Sequence, residues 1–261
     1  MKIVTWNINS LRLRLGLVEK ITTEYNPDFI ALQETKVTDS SFPIEAIQKM
    51  GYEYIYYTGG KSYNGVAILS KIKAEQNFML KFYNDDHRHI AIKIDDYELH
   101  NFYIPAGGDI ADESLNPKFK HKLSYLQQLE NWLIQNRKKS DKIILVGDLN
   151  IAPHEHDVWS SRALRNEVSH TDIERIALIK MQNSLEFIDT ARHFVPFAEK
   201  SYSWWSYRNI DWQKSNRGRR LDHIWITPAL KPCLASLQTL KHFRGYELPS
   251  DHVPLMVTLH A

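Results

Sequence analysis

Cysteine is nearly absent: the single Cys233 excludes an intrachain disulfide, and nothing in its neighbourhood points to an oxidising compartment. Beside Pro232 it reads as a small buried filler rather than a nucleophile. No apolar run approaches a membrane span, and the opening MKIVTWNINS enters a strand at once, without the basic leader and apolar core of a signal peptide. A cytoplasmic globular protein is expected. Repeats, low-complexity segments and Gly/Ser linkers are missing too, so residues 1–261 are expected to form one domain. Charge of one sign is also scarce: the net +2 is too mild to imply a nucleic-acid partner by itself.

What is plentiful is apolar and aromatic. Hydrophobic residues make up 43% of the chain, enough for a sizeable core, and the seven Trp and thirteen Tyr gather partly in one basic stretch. KIVTWNI reads as a strand, followed by a helix over about residues 12–25, the short strand of PDFIALQET, and a short helix over 43–50. A strand-rich section follows in YEYIYYTG, GVAILS, HIAIKI and ELHNFYIP. Phe119, Leu123, Leu126, Leu129 and Leu133 recur every three or four residues and mark an amphipathic helix between Pro117 and Arg137. KIILVGD is another buried strand. Thr171 and Glu174 form a capping box opening a helix over 172–184. SYSWWSY, LDHIWIT and HVPLMVTL return to strands. This pattern predicts an α/β fold of two sheets packed face to face with helices outside.

The run Ile143-Ile144-Leu145-Val146 stops at Gly147-Asp148-Leu149-Asn150. Gly, Asp and Asn favour turns, but the ends of buried strands are also where α/β proteins place their chemistry. The pattern recurs. Asn7 closes VTWN, Glu34 closes FIALQE, Asp222 opens LDHIWIT, and Ser250-Asp251-His252 opens VPLMVTL. If these edges meet, four carboxylates share one site and raise each other's pKa, a repulsion that a hard divalent cation would relieve. Oxygen-rich donors without cysteine suit Mg²⁺ or Mn²⁺ better than Zn²⁺. Glu34 would anchor the ion, the other acids would orient or deprotonate a water, and His252 paired with Asp222 would face a phosphate oxygen. The set fits metal-assisted hydrolysis of a phosphate ester.

VTWNIN, LQETK, YIPAGG, GDLN, RLDHIW and SDHVPL resemble, in order, the motifs of the exonuclease III and abasic-endonuclease branch of the endonuclease/exonuclease/phosphatase superfamily. The likeness runs from residue 3 to about 259. It implies a four-layer α/β sandwich of two mixed sheets, Mg²⁺ dependence with Mn²⁺ as a substitute, and action on duplex DNA with abasic sites or with recessed or blocked 3′ ends; a monomer is expected. Carried over by residue, it implies Glu34, Asn7 and Asp251 at the metal, and Asp148 with Asn150 aligning the attacking water. Tyr103 is implied near the scissile phosphate, and Asp222 with His252 as a carboxylate–imidazole pair. Two positions depart from the pattern: Ala106 stands where relatives carry Asn or Gln, and Arg219 where some carry a large apolar residue lining the abasic pocket. Trp204 and Leu221 keep the apolar character of that pocket.

The stretch SWWSYRNIDWQKSNRGRRLDH interleaves Arg208, Lys214, Arg217, Arg219 and Arg220 with Trp204, Trp205, Tyr207 and Trp212. Basic side chains contact phosphates without reading sequence, and rings fill gaps left by unstacked bases, so Trp204, Arg208, Trp212, Arg217, Arg219, Arg220 and Leu221 are the expected DNA contacts. HEHD (154–157) and DHRH (86–89) look metal-like by composition but read mainly as polar loops. Two other readings compete: a phosphatase or phosphodiesterase of the same superfamily acting on a small phosphoester, and a catalytically silent DNA-binding protein on the same scaffold.

Overall fold

The computed structural model describes residues 1–60, 63–82 and 87–260. Twelve strands run in chain order as β1 (Lys2–Asn7), β2 (Phe29–Gln33), β3 (Tyr54–Gly60), β4 (Tyr63–Ser70), β5 (Gln76–Phe78), β6 (His89–Ile94), β7 (Tyr97–Tyr103), β8 (Lys142–Asp148), β9 (Ile188–Asp189), β10 (Asp222–Ile226), β11 (Leu234–Thr239) and β12 (Leu255–Leu259). They form two six-stranded sheets, ordered β11-β12-β1-β2-β4-β3 and β5-β6-β7-β8-β10-β9. Both are mixed: β1 pairs parallel with β2, β7 pairs parallel with β8, and the other pairings are antiparallel.

Side-chain alternation builds the four layers. Ile144 and Val146 of β8 face the core between the sheets with Ile3, Phe29 and Ala31, while Ile143 and Leu145 face outward. There they meet Tyr125, Leu126, Leu129 and Leu133 of the helix Pro117–Asn136 and Leu178 and Met181 of the helix Asp172–Ser184. On the other side Val4, Trp6, Ile30 and Leu32 meet Val18 and Ile21 of the helix Leu15–Tyr25. The fold is the expected α/β sandwich. No helix among the described residues is long and apolar enough to cross a membrane.

Local chemistry agrees with these elements. Asn116 caps the helix Pro117–Asn136 through Lys118 N, with Pro117 in its first turn, and the Thr171–Glu174 capping box opens the helix Asp172–Ser184. One expected strand is absent. SYSWWSY carries only isolated bridges, from Trp204 to Arg219 and to His252. Its backbone is spent on loop contacts, Ser203 N and Trp204 N both donating to Arg219 O and Trp205 N to Asp251 O.

Near one end of the sandwich the apolar core closes with a polar junction between the sheets. Gln33 Nε2 donates to Asn101 Oδ1 at 2.6 Å, and Asn101 Nδ2 donates to the carbonyls of Leu32 and Ala67, both at 2.9 Å. All of these groups are buried, so each must find its partner inside the protein. β1, β2, β7 and β8 all run toward this end, because within each parallel pair the two C-termini must emerge together.

Candidate active site

At that end Asn7 closes β1, Tyr103 closes β7, Asp148 closes β8, Glu34 follows β2 and Asn150 follows β8. β10 is antiparallel to β8 and pairs Asp222 with Asp148, so its first residue arrives at the same place. Glu34 and Asn150 adopt left-handed backbone, with φ of 50° and 54°, and so do Asn9 at 46° and Lys36 at 53°. Asn tolerates this region, whereas Glu and Lys do so at a cost, and such strain gathers at functional sites.

One network joins these side chains. Asn7 Nδ2 donates to Glu34 Oε1 at 2.9 Å and to Asp148 Oδ2 at 2.8 Å. Tyr103 donates its hydroxyl to Glu34 Oε1 at 2.8 Å. Asp148 also accepts from the backbone N of Asn150 at 2.9 Å and from Asn150 Nδ2 at 3.2 Å. His252 Nδ1 lies 2.8 Å from Asp222 Oδ2, while its Nε2 points to Asp148 Oδ2 at 3.7 Å. Ser250 Oγ holds the His252 segment by donating to Asn7 O at 2.7 Å and accepting from His252 N at 3.2 Å.

Charge follows from this geometry. Burial pushes the Asp148 carboxyl up to about 7, against the pull of His252 and with the push of Asp222. Burial alone would lower His252, but Asp222 and Asp148 raise it to about 10, so the imidazole is held as a cation. Burial also acts to raise Glu34, yet Lys36 and Asn7 hold it below the usual carboxylate range. Tyr103 is pushed well above 10 by burial and by Glu34 and Asp148, which keeps it a neutral hydroxyl donor.

Two residues that the sequence reading did not single out complete the floor. Lys36 Nζ bridges Glu34 Oε2 at 2.8 Å and Asn9 Oδ1 at 2.6 Å. Asn9 Nδ2 donates in turn to Asp251 Oδ1 at 3.0 Å, and Trp204 Nε1 caps Asp251 Oδ2 at 2.9 Å. Asn9 lies in VTWNIN and Lys36 in LQETK, so their place beside Asn7 and Glu34 was the available signal. Asn7 differs from its expected place as a metal ligand. Its Oδ1 accepts from the backbone N–H of Asn9 at 3.1 Å, which turns the NH₂ toward the carboxylates and makes it a bridging donor.

Asp148, Asp222 and His252 place possible ligand atoms within 4.8 Å of one another, but the imidazole is already paired with Asp222 and is not the oxygen donor a hard cation prefers. The fit for a hard divalent ion is better at Glu34. There the carboxylate and Asn9 Oδ1 already gather a positive charge, the Lys36 ammonium, with Asp251 on the far side of Asn9. Such an oxygen donor set suits Mg²⁺ or Mn²⁺.

The network floors a cleft of about 950 Å³ lined by Glu34, Tyr103, Asn150, Asp251 and His252, with Ala106 at one side. Trp204, Arg208, Arg217, Arg219 and Leu221 line its other wall. Two expected DNA contacts lie elsewhere. Arg220 is only 1% exposed and pairs with Asp157 at 2.7 Å and Asp189 at 2.8 Å, because successive residues beside β10 point to opposite sides and Arg219 takes the cleft. Trp212 packs edge-on against Trp205 with centroids 5.3 Å apart and does not line the cleft. Within HEHD, Asp157 is a buried partner of Arg220 and Arg192. Of DHRH, Asp86 lies outside the described residues, and Arg88 packs over the Tyr103 ring at 4.8 Å.

Comparison with known proteins sets this geometry in context. The model of the Endonuclease/Exonuclease/phosphatase family matches residues 4–252. The chain is 31% identical to an exodeoxyribonuclease III of Haemophilus influenzae, with 98% of each chain covered. In structure it resembles an AP endonuclease from Archaeoglobus fulgidus, with a TM-score of 0.93, 33% identity and full coverage of both chains. It also resembles a Neisseria 3′ phosphatase bound to a product DNA hairpin, with a TM-score of 0.91, 30% identity and full coverage. With its motifs on converging strand ends and its family match spanning nearly the whole sequence, the chain belongs to the endonuclease/exonuclease/phosphatase family.

Proposed function

We propose that residues 1–261 act as one catalytic domain, a metal-dependent DNA-repair nuclease that hydrolyses the phosphodiester 5′ to abasic sites in duplex DNA and trims 3′ ends. The observation that carries this reading is the Asn7 bridge. It draws Glu34 and Asp148, from different sheets, to the floor of a cleft whose far wall bears Trp204, Arg208, Arg217 and Leu221. The Haemophilus and Archaeoglobus relatives support the DNA substrate by their names.

Glu34 would hold Mg²⁺, or Mn²⁺ in its place, with Asp251 nearby, and the ion would supply positive charge to a phosphate oxygen. Asp148, raised to about 7 and fixed by Asn7 and Asn150, aligns the water and takes its proton. The His252 imidazolium, steadied by Asp222, faces the charge that develops on the phosphate. Tyr103, whose hydroxyl donates to Glu34 Oε1, has its pKa raised by burial and acts as a donor in this reading, with Asp148 as the base. The apolar wall of Trp204 and Leu221 would receive a sugar that has lost its base and left the stack.

The test is a duplex with one internal abasic analogue, labelled at the 5′ end, incubated in Mg²⁺ with an EDTA control. One product ending just 5′ of the lesion, absent with EDTA, is the expected result. A ladder shortening from the 3′ end without that product would make the protein mainly an exonuclease. Salt-insensitive turnover of a small phosphoester, with DNA untouched, would overturn the DNA reading.

A further inference from the structure

Arg14 stands at the head of the helix Leu15–Tyr25 and turns its guanidinium toward the loop that follows β1. It is only 7% exposed and does not line the cleft, so whatever it does for the site passes through other residues. Four of its five N–H donors are engaged, and they reach three segments. Nη1 donates to Ile8 O at 3.3 Å and to Asn9 O, Nε donates to Leu248 O at 2.9 Å, and Nη2 donates to the Tyr207 hydroxyl at 2.9 Å. That hydroxyl donates in turn to Pro249 O at 2.8 Å, next to Leu248.

These carbonyls belong to turns that do not hold themselves. Asn9 has a φ of 46°, Ser10 of 88° and Leu248 of 47°, all left-handed and none a glycine. Such residues keep that backbone only where their surroundings impose it. A planar fork with fixed donor directions can impose it on both turns at once, which an ammonium on a flexible stem cannot. Both turns also carry the floor of the site. Asn9 Oδ1 accepts from Lys36 Nζ at 2.6 Å, and Asn9 Nδ2 donates to Asp251 Oδ1 at 3.0 Å. Asp251 follows Leu248 by three residues, and Ser250 between them is tied to Asn7 O at 2.7 Å. Arg14 therefore fastens through their backbones the two segments that Asn9 and Asp251 join through their side chains.

We propose that Arg14 is a positioning residue that sets the spacing of Asn9 and Asp251, and with it the affinity of the site for its divalent ion. This rests on the reading above, in which the ion sits at Glu34 beside these two residues. A hard cation holds its oxygens at nearly fixed distances, so a floor already in place spares the cost of ordering it when the ion arrives. Tyr207 shares the task, since its hydroxyl links Arg14 to Pro249.

The test is a calorimetric titration of Mn²⁺ into the full chain without DNA, which reads the floor without turnover. The Kd is expected to rise by about tenfold or more in Arg14→Met, the usual effect of losing a residue that holds ligands in place, and by less in Arg14→Lys. Tyr207→Phe keeps the ring and loses both hydrogen bonds, so a smaller rise is expected there. Leu133→Ala opens a cavity in the core beneath the helix Pro117–Asn136, and should lower the melting temperature while leaving the Kd as it was. An unchanged Kd in folded Arg14→Met, or an equal rise in Leu133→Ala, overturns the role of Arg14. If melting shows that Arg14→Met does not fold, unchanged constants in both Arg14→Lys and Tyr207→Phe overturn it equally. Glu34→Gln keeps the two readings apart: undiminished binding in that variant, or none by the unaltered protein, overturns the metal reading and the role of Arg14 together.

Discussion

Asn7 Nδ2 lies 2.8 Å from Asp148 Oδ2, a hydrogen bond from the end of β1 in one sheet to the end of β8 in the other. The same nitrogen reaches Glu34 Oε1 at 2.9 Å, so one amide spaces two carboxylates that would otherwise repel. Each sheet contributes a parallel pair of strands, and in both the C-terminal ends carry the polar residues. The Gln33–Asn101 junction sets the distance between the sheets beneath them.

Removing that amide tests the bridge directly. Asn7→Ala deletes a donor from each carboxylate and is expected to lower kcat by about 10²-fold, the effect of losing one preorganised donor. Because the Asn7 hydrogen bond acts to lower the Asp148 pKa, its loss raises that pKa further above 7. The acid limb of the kcat/KM profile should therefore move to higher pH. An unmoved limb would detach Asp148 from the role of base.

The basic stretch separates into two groups by salt dependence. Arg208 and Arg217 are exposed on the cleft wall, and each replacement by Ala should reduce the slope of log K against log salt for duplex DNA by about 0.9. Arg220→Ala should leave that slope as it was. Instead it leaves Asp157 with Arg192 alone and Asp189 without its ion partner in the core, and should cost about 3–5 kcal/mol, a melting-temperature drop on the order of 10 °C. Titrations at several salt concentrations, alongside thermal melts, read both effects.

How much of this was legible in the sequence depends on what each residue packs against. HIAIKI and KIILVGD occupy the spans read from them, and the Thr171–Glu174 box opens its helix at Asp172, because local pattern and burial agree there. SYSWWSY misleads, since its rings alternate to fill the cleft wall and the Trp205 cluster rather than to face a neighbouring strand. β5 and β11 pass unnoticed, as sheet edges with few buried apolar positions to show a period. Composition placed Arg219 and Arg220 together, whereas only the register of β10 tells which enters the cleft. Asn9 and Lys36 stayed hidden because their part depends on left-handed turns that bring them back over Glu34.

Stability should fall in acid. Burial lowers His89 well below 6.5, lowers His100, and takes His223 down to about 4, so each gains a proton on unfolding as pH drops from 6.5 toward 4. Asp148 works the other way in this window, since its raised pKa means it gives up a proton on unfolding. Burial also lowers His121, His154 and His170, so the gains outnumber the one loss and unfolding takes up protons on balance, each worth about 1.4 kcal/mol per pH unit where it is complete. Asp157 adds to the loss at lower pH: burial acts to raise it, but Arg220 and Arg192 hold it far below the usual range. His252 has the opposite dependence, stabilising below 6.5 and losing that contribution as pH rises through 10. Melting temperatures in EDTA should therefore rise from pH 4 toward 6.5 and stop rising above it, where His252 opposes the trend, and a flat profile below 6.5 would contradict the burial of these histidines.

Lys122 separates stability from activity. It is fully buried on the helix Pro117–Asn136, pairs with Glu174 Oε1 at 2.5 Å, and also donates to Asn150 O at 2.8 Å and Ala106 O at 3.2 Å. Lys122→Met leaves the Glu174 charge buried beside the amides of Ser169 and Thr171, and should cost about 3–5 kcal/mol. Pairing it with Glu174→Leu removes the stranded charge, so the double variant should melt above the single one, although Ser169 N and Thr171 N then lose their acceptor. Activity should not return with it. The carbonyls of Asn150 and Ala106 still lack their donor, and the turn that aims Asn150 at Asp148 is left untethered, so kcat stays down while KM for duplex DNA moves little. Full recovery of kcat in the double variant would show that Lys122 only balances the charge of Glu174 and has no part in placing Asn150.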